Sequence, residues 1–274
     1  LIINLLKSFL CHSIWIVVKP LSKLPHIWGV VFLSILTGLA LLIIFKRISN
    51  QSGIAAAKSR ISAHLLEILL YRDDVNRSFF ALLNLLKYNL KYLGYAFKPL
   101  LIMSPVMFIL YIQLSSLYAF RPILVGEQII ITILCRSSVP LENVLLLENE
   151  GFKIKSSPLR MLKEHQIQWK IEAMREGISE LTFRWNDEQV NKRLVAGKSF
   201  IPLAAQRIAE NDPKTILHIA EPSLPEESFL KSVSIDYPRR VFSLFGRHWS
   251  WFTLFLMITL LTGFSFKNKL GVNL

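Results

Sequence analysis

The chain has 274 residues, 52% of them hydrophobic, with a mean hydropathy of +0.42 and a formal net charge of +13. So apolar a composition excludes an ordinary soluble globule, and the placement of the charge has to be explained together with it. Two cysteines, Cys11 and Cys135, exclude a disulfide framework, and six scattered histidines have no metal-ligand spacing.

In chain order, residues 1–21 put Asn4, Lys7, Ser8, Cys11 and His12 on one narrow face at 3.6 residues per turn, opposite Leu5, Leu6, Phe9, Ile14 and Trp15. The pattern predicts an amphipathic helix lying at a membrane interface and ending near Lys19-Pro20. Residues 27–45 and 99–120 then each supply roughly the 20 apolar residues that cross a bilayer, and residues 249–266 do so a third time. His248, Trp249 and Trp251 stand where interfacial aromatics anchor a span, and a short tail, residues 267–274, follows it.

Between the first two spans, Ile54, Ala57, Ile61, Leu65 and Ile68 recur at helical spacing, as do Val75, Phe79, Leu82, Leu86, Leu90 and Leu93. Arg72-Asp73-Asp74 supplies a turn and an N-cap, so residues 50–95 are predicted to be an antiparallel helical hairpin. Residues 1–119 carry 12 basic against 3 acidic residues, and nine of the basic ones lie between Lys46 and Lys98. The positive-inside rule therefore places the hairpin and the tail in the cytoplasm and residues 120–247 outside. Charge that orients spans accounts for the basic composition, and no nucleic-acid partner is expected.

Residues 121–211 have a different period. Gln166 to Glu172 alternates polar and apolar, as do Leu181, Phe183 and Trp185, with further strands expected at residues 128–134, 143–148 and 192–196 and a turn at Asn186-Asp187. This is the pattern of an antiparallel β-sandwich, with an immunoglobulin-like arrangement expected. Asp212-Pro213, Pro222, Pro225 and Pro238 mark residues 212–247 as a loop-rich return. The fold class expected is thus an α-helical integral membrane protein with three transmembrane helices, a cytoplasmic hairpin and an extracytoplasmic all-β domain.

Read together, residues 10–121 resemble the YidC/Oxa/Alb superfamily of membrane-protein insertases, in its reduced three-span form. The resemblance rests on Lys19-Pro20-Leu21, on Trp28-Gly29 and Thr37 in the first span, on the basic hairpin, and on Pro99-Leu100, Pro105, Phe108 and Leu110-Tyr111 in the second. It implies a groove open to lipid that moves short hydrophilic segments of client membrane proteins across the bilayer, without a cofactor. A charged residue costs about 2.5–3.5 kcal/mol at mid-membrane, so a wet path matters. The position of the family's groove arginine falls on Ala40 or Leu41, and the polar candidates for a groove are Ser34, Thr37, Ser104, Tyr111 and Gln113. Pro99 suits the first turn of its span, whereas Pro105 is expected to kink it.

Other chemistry is not visible. Gly197-Lys198-Ser199 lacks the earlier glycine of a phosphate loop, and acidic pairs such as Glu226-Glu227 fall in turns. The expectation is a non-enzymatic protein of a bacterial inner membrane whose partners are lipid and nascent or client membrane proteins. The alternative is a membrane scaffold or assembly subunit that binds a partner protein through residues 121–211.

Overall fold

The computed structural model describes residues 25–272 other than Ile219 and Phe245. The amphipathic helix expected over residues 1–21 lies outside the described residues. The chain divides into two compact units: Val30–Leu110 with Thr253–Leu274, and Tyr111–Phe252 with Gly29 and the described residues before it. The described residues form four α-helices and a largely antiparallel β region.

The helices are α1 (His26–Ile48), α2 (Gln51–Leu70), α3 (Val75–Tyr118) and α4 (Trp251–Phe266). Two of them, α1 and α3, are long and apolar enough to cross a membrane, while α4 is a shorter apolar helix of 16 residues. Asn50 begins α2 by accepting a hydrogen bond from Gly53 N at 2.9 Å, and Asp74 begins α3 by accepting one from Arg77 N at 3.1 Å. Between these caps α2 and α3 run antiparallel: His64 stacks on Tyr88, and a Cβ built on Gly53 would stand 3.0 Å from the Tyr95 ring.

One feature of the helical region departs from the expected pattern. The hairpin's second arm and the second apolar segment are a single helix of 44 residues, about 66 Å long, that passes through Pro99 and Pro105. Pro99 is therefore an interior residue, buried, and not the opening turn of a separate span. No capping residue or glycine lies between Tyr95 and Pro99 to stop the helix, so it continues and absorbs the loss of one hydrogen bond at each proline. At Pro105 the loss is repaired locally. Proline cannot donate to the carbonyl of Leu101, and Ser104 Oγ donates to it instead at 2.9 Å.

The β region comprises β1 (Gln128–Cys135), β2 (Leu145–Leu147), β3 (Phe152–Ile154), β4 (Leu159–Met161), β5 (Gln166–Ala173), β6 (Gly177–Trp185), β7 (Glu188–Ala196), β8 (Gln206–Ile208), β9 (Leu230–Ile235), β10 (Val241–Leu244) and β11 (Arg247–Ser250). The main sheet has the order β3-β5-β1-β9-β8 with β4 also on β5, a second sheet is β2-β6-β7, and β10 and β11 form a hairpin. Alternation puts Ile129, Ile131, Ile133 and Cys135 of β1 inward, where they share one core with Leu181 and Phe183 of β6. Trp169 meets Phe183 across the two sheets with ring centroids 5.8 Å apart.

Strand β9 changes the boundary expected at residue 211. It lies within residues 212–247, yet it occupies the interior of the main sheet, with Ile131 opposite Ile235 and Ile133 opposite Val233. The prolines around it punctuate the chain without preventing Val233 and Ile235 from alternating inward, and Leu230 joins them across a register shift opposite Leu134 and Cys135. The two ends of the β region are also paired. Arg121 N donates to Pro238 O at 2.9 Å and Arg240 N to Ala119 O at 3.0 Å, forming an antiparallel neck. Beside it Arg121 grips Glu127 with two hydrogen bonds of 2.8 Å, which hold the Glu127 carboxyl below its ordinary pKa.

A buried ion pair pins a loop to β7. The Lys192 ammonium, inaccessible to water, donates to Glu221 at 2.7 Å and to Ala204 O at 2.6 Å, and Arg193 Nε reaches the other Glu221 oxygen at 3.1 Å. Burial lowers the Lys192 pKa from its ordinary value, and Glu221 offsets part of that.

Two outcomes are expected. Glu221→Gln leaves a buried ammonium without its counter-charge and should cost about 3–5 kcal/mol in chemical unfolding, whereas the double variant Lys192→Met, Glu221→Gln should recover much of the loss. Burial pushes the Cys135 thiol up to about 11, so in a Cys11→Ser background maleimide should label the protein at neutral pH only after denaturation.

Candidate functional site: the apolar helices and their hairpin

The polar residues expected to line a groove fall in both units, and each is described within its own unit. Ser34 is fully buried in α1, and its hydroxyl donates to the carbonyl of Val30 at 2.7 Å, one turn back in the same helix. Thr259 of α4 donates to Ser34 O at 3.3 Å, and Thr262 bonds its own helix at Ile258 O, 2.8 Å. Gly38 lies one turn beyond Ser34. A Cβ built there would meet the Thr259 carbonyl oxygen at 2.8 Å and Thr262 Cβ at 3.0 Å. Ser34 and Gly38 thus form a small-residue seam that lets the backbones of α1 and α4 approach closely, and its hydroxyls are spent on backbone carbonyls.

The remaining candidates are dispersed. Thr37 is half-buried on α1. Ala40 is exposed and Leu41 is half-buried against a cluster of Leu42, Phe45, Ile54, Met103 and Val272, so these two candidates face different surroundings. Ser104 is exposed and serves the Leu101 carbonyl, as above. In the other unit, Gln113 is buried, Ser116 bonds Gln113 O at 2.7 Å, and Tyr111 stacks on Trp251 with ring centroids 5.5 Å apart. Of the two prolines, Pro99 is buried and Pro105 exposed.

What the periodicity does not reveal is how little of the hairpin's apolar surface is covered. Around the Tyr71–Asp74 turn, Leu69, Leu70, Val75 and Phe80 are 69%, 76%, 79% and 63% exposed, and Leu65, Leu66 and Phe79 are also open. Arg72 and Arg77 stand beside them, with the Arg77 guanidinium 5.0 Å from the centre of the Tyr71 ring. Gly53 lies against the Tyr95 ring of the other arm, and Ala57 and Ala81 are buried. Large exposed apolar patches mark protein, membrane or ligand contacts.

At the membrane-length helices, Lys46 Nζ donates to Leu270 O at 2.6 Å, which joins the end of α1 to the turn after α4. Among the described residues no group of three or more His, Cys, Asp or Glu side chains is placed to hold a metal ion. Comparison with known proteins returns no matching family model, no similar curated protein and no similar solved structure.

The seam makes a direct forecast. Gly38→Leu forces side-chain atoms into the Thr259 backbone and should lower stability by about 1–3 kcal/mol, read as a shift in thermal unfolding, while Ala40→Leu on the exposed side of the same helix should be close to neutral.

Proposed function

We propose that this chain is an integral membrane protein, in which α1, the apolar half of α3 and α4 cross the bilayer, and that it acts as a membrane chaperone or insertase for client membrane proteins. In this reading the hairpin is cytoplasmic, the β region is an extracytoplasmic immunoglobulin-like sandwich, the membrane is the bacterial inner membrane, and no cofactor takes part. The observation that carries it is the exposed apolar end of the hairpin flanked by Arg72 and Arg77. Leucine and phenylalanine side chains held open to water forgo roughly 25 cal/mol for every Å² they leave unburied, a cost that a transient apolar ligand removes. The apolar segment of a nascent membrane protein is such a ligand. The resemblance of residues 10–121 to the YidC/Oxa/Alb superfamily supports the same assignment.

A second feature agrees with it. The 16 residues of α4 extend about 24 Å, less than the roughly 30 Å of a bilayer core, and Lys267 and Lys269 lie over the Phe264 and Phe266 rings at its end. A short span flanked by long cationic side chains thins the bilayer around it and lowers the barrier for a hydrophilic segment. The closed α1/α4 seam argues against a polar path between those two helices, so client capture at the hairpin is the step this reading emphasises. The same seam favours the competing assignment, a scaffold that binds a partner protein through the β domain.

Photo-crosslinking residues at Leu69 and at Leu159, an exposed residue of β4, would separate the two. The chaperone reading expects Leu69 to capture pulse-labelled nascent membrane proteins, with adducts that disappear when translation stops and fall roughly tenfold in a Leu70→Asp background. Adducts confined to Leu159 and to one long-lived protein would replace it with the scaffold.

A further inference from the structure

A cavity of about 480 Å³ opens beside the neck, within the unit that contains the β region. Its aromatic lining is Tyr111, Phe120, Trp249 and Trp251, with Tyr111 stacked on Trp251, and its cationic groups are Arg239 and Arg240. Among the described residues no carboxylate lines it. The acidic residue at the neck, Glu127, is already held by the two-pronged contact with Arg121.

The two arginines differ in how they are held. Arg240 is half-buried: its backbone N–H and Nε donate to Ala119 O and Phe120 O, and its guanidinium carbon lies 5.7 Å from the centre of the Phe200 ring. Arg239 is exposed, and among the described residues its guanidinium has no hydrogen-bond or ion-pair partner. Two arginines lining an aromatic-walled cavity, with no carboxylate among its described lining residues, form a site that lacks one negative charge. Partial burial sharpens the deficit, because taking a cation out of water without a counter-ion is costly. His248 adds a ring nitrogen at the rim, 3.3 Å from Ser243 Oγ.

The cavity also has a defined place along the chain. Tyr111 and Phe120 bracket the end of α3, and Trp251 is the first residue of α4. Where apolar helices meet water, indole and phenol rings sit at headgroup depth, and there the anion in greatest supply is a lipid phosphate. Arginine pairs a phosphate through two parallel N–H···O bonds, and the aromatic walls match the glycerol and first methylenes behind it.

We infer that this cavity binds the phosphate headgroup of an anionic glycerophospholipid through Arg239 and Arg240, seating the outer ends of α3 and α4 on a lipid. The inference rests on the reading of those helices as membrane spans, and not on client capture. A bound lipid there would tie the neck to the membrane surface.

The test uses the full chain purified into nanodiscs of phosphatidylglycerol or phosphatidylcholine, with retained lipid counted by native mass spectrometry after transfer to detergent. Phosphatidylglycerol should be retained in preference to phosphatidylcholine, about tenfold less by Arg239→Gln, and undiminished by millimolar inorganic phosphate. Arg175→Gln, a change at an exposed residue elsewhere on the β region, should retain it normally. Arg240→Lys keeps the charge where Arg240→Gln would disturb the neck, and should fall between wild type and Arg239→Gln. Equal retention of the two lipids, or no difference between Arg239→Gln and Arg175→Gln, would overturn the lipid site. Displacement of the lipid by inorganic phosphate would identify a free-anion site instead. Carbonate extraction of the same membranes reports separately on the span reading, since an extractable chain would sink that premise and an integral chain without lipid preference would sink only this site.

Discussion

The fold depends on the antiparallel pairing at the neck, where the chain leaving α3 meets the chain returning toward α4. The β region is inserted between those two helices, and an inserted domain keeps its fold and its host's only if its ends come close together. Arg121 N to Pro238 O and Arg240 N to Ala119 O meet that requirement with two backbone hydrogen bonds, and the Phe120–Arg239 bridge lies between them. From this point inward the geometry follows: Ile123 reaches the end of β7, Tyr237 accepts a hydrogen bond from Val195 N, and β1 begins with its inward residues facing one core. Removing any one of these contacts leaves a backbone polar group unpaired near the sheet, which is why they occur as a set.

The apolar helices obey a related constraint. A hydroxyl on an apolar helix can satisfy its own O–H on a backbone carbonyl one turn back, and several in this chain do so. Ser34 serves Val30, Ser104 serves Leu101, Ser116 serves Gln113 and Thr262 serves Ile258. These bonds account for several of the polar residues that stand out against an apolar background. Of these four, Ser104 supplies a donor that its helix lacks, at the carbonyl Pro105 leaves free, while Gly38 allows α4 to come close to α1.

Much of the architecture was legible from local patterns. The length and purity of the apolar runs marked α1 and α3, and strict alternation over Gln166–Glu172 marked β5, because both signals arise from neighbouring residues along the chain. The continuity of α3 was not legible, since two prolines ordinarily end or divide a helix and the repair by Ser104 appears only once the turn is built. Strand β9 was hidden by the prolines on either side of it and by the three-residue step from Leu230 to Val233, although Val233 and Ile235 carry the right period. The Lys192–Glu221 pair joins residues 29 apart and carries no periodic signal. The open face of the hairpin was obscure for another reason: helical spacing identifies which residues share a face, but not whether anything covers it. Among the groove candidates, residue type was informative about polarity and silent about partners, so Ser34 and Ser104 looked alike while one is sealed in a seam and the other mends a proline.

The position of β9 has a consequence for how the domain is made. β1 lies between β5 and β9 in the main sheet, and Ser234 Oγ reaches back to Thr132 O across 102 residues. During synthesis β1 can pair with β5 as soon as Ala173 has emerged, but its other edge stays open until β9 exists, roughly 60 residues and about 3–12 s later at ordinary elongation rates. For that interval the nascent chain displays an unpaired, strongly apolar β-strand edge, the feature most prone to join a neighbouring chain. The high contact order that gives the finished sheet its interlocked ends thus also makes its birth the most vulnerable stage of its life.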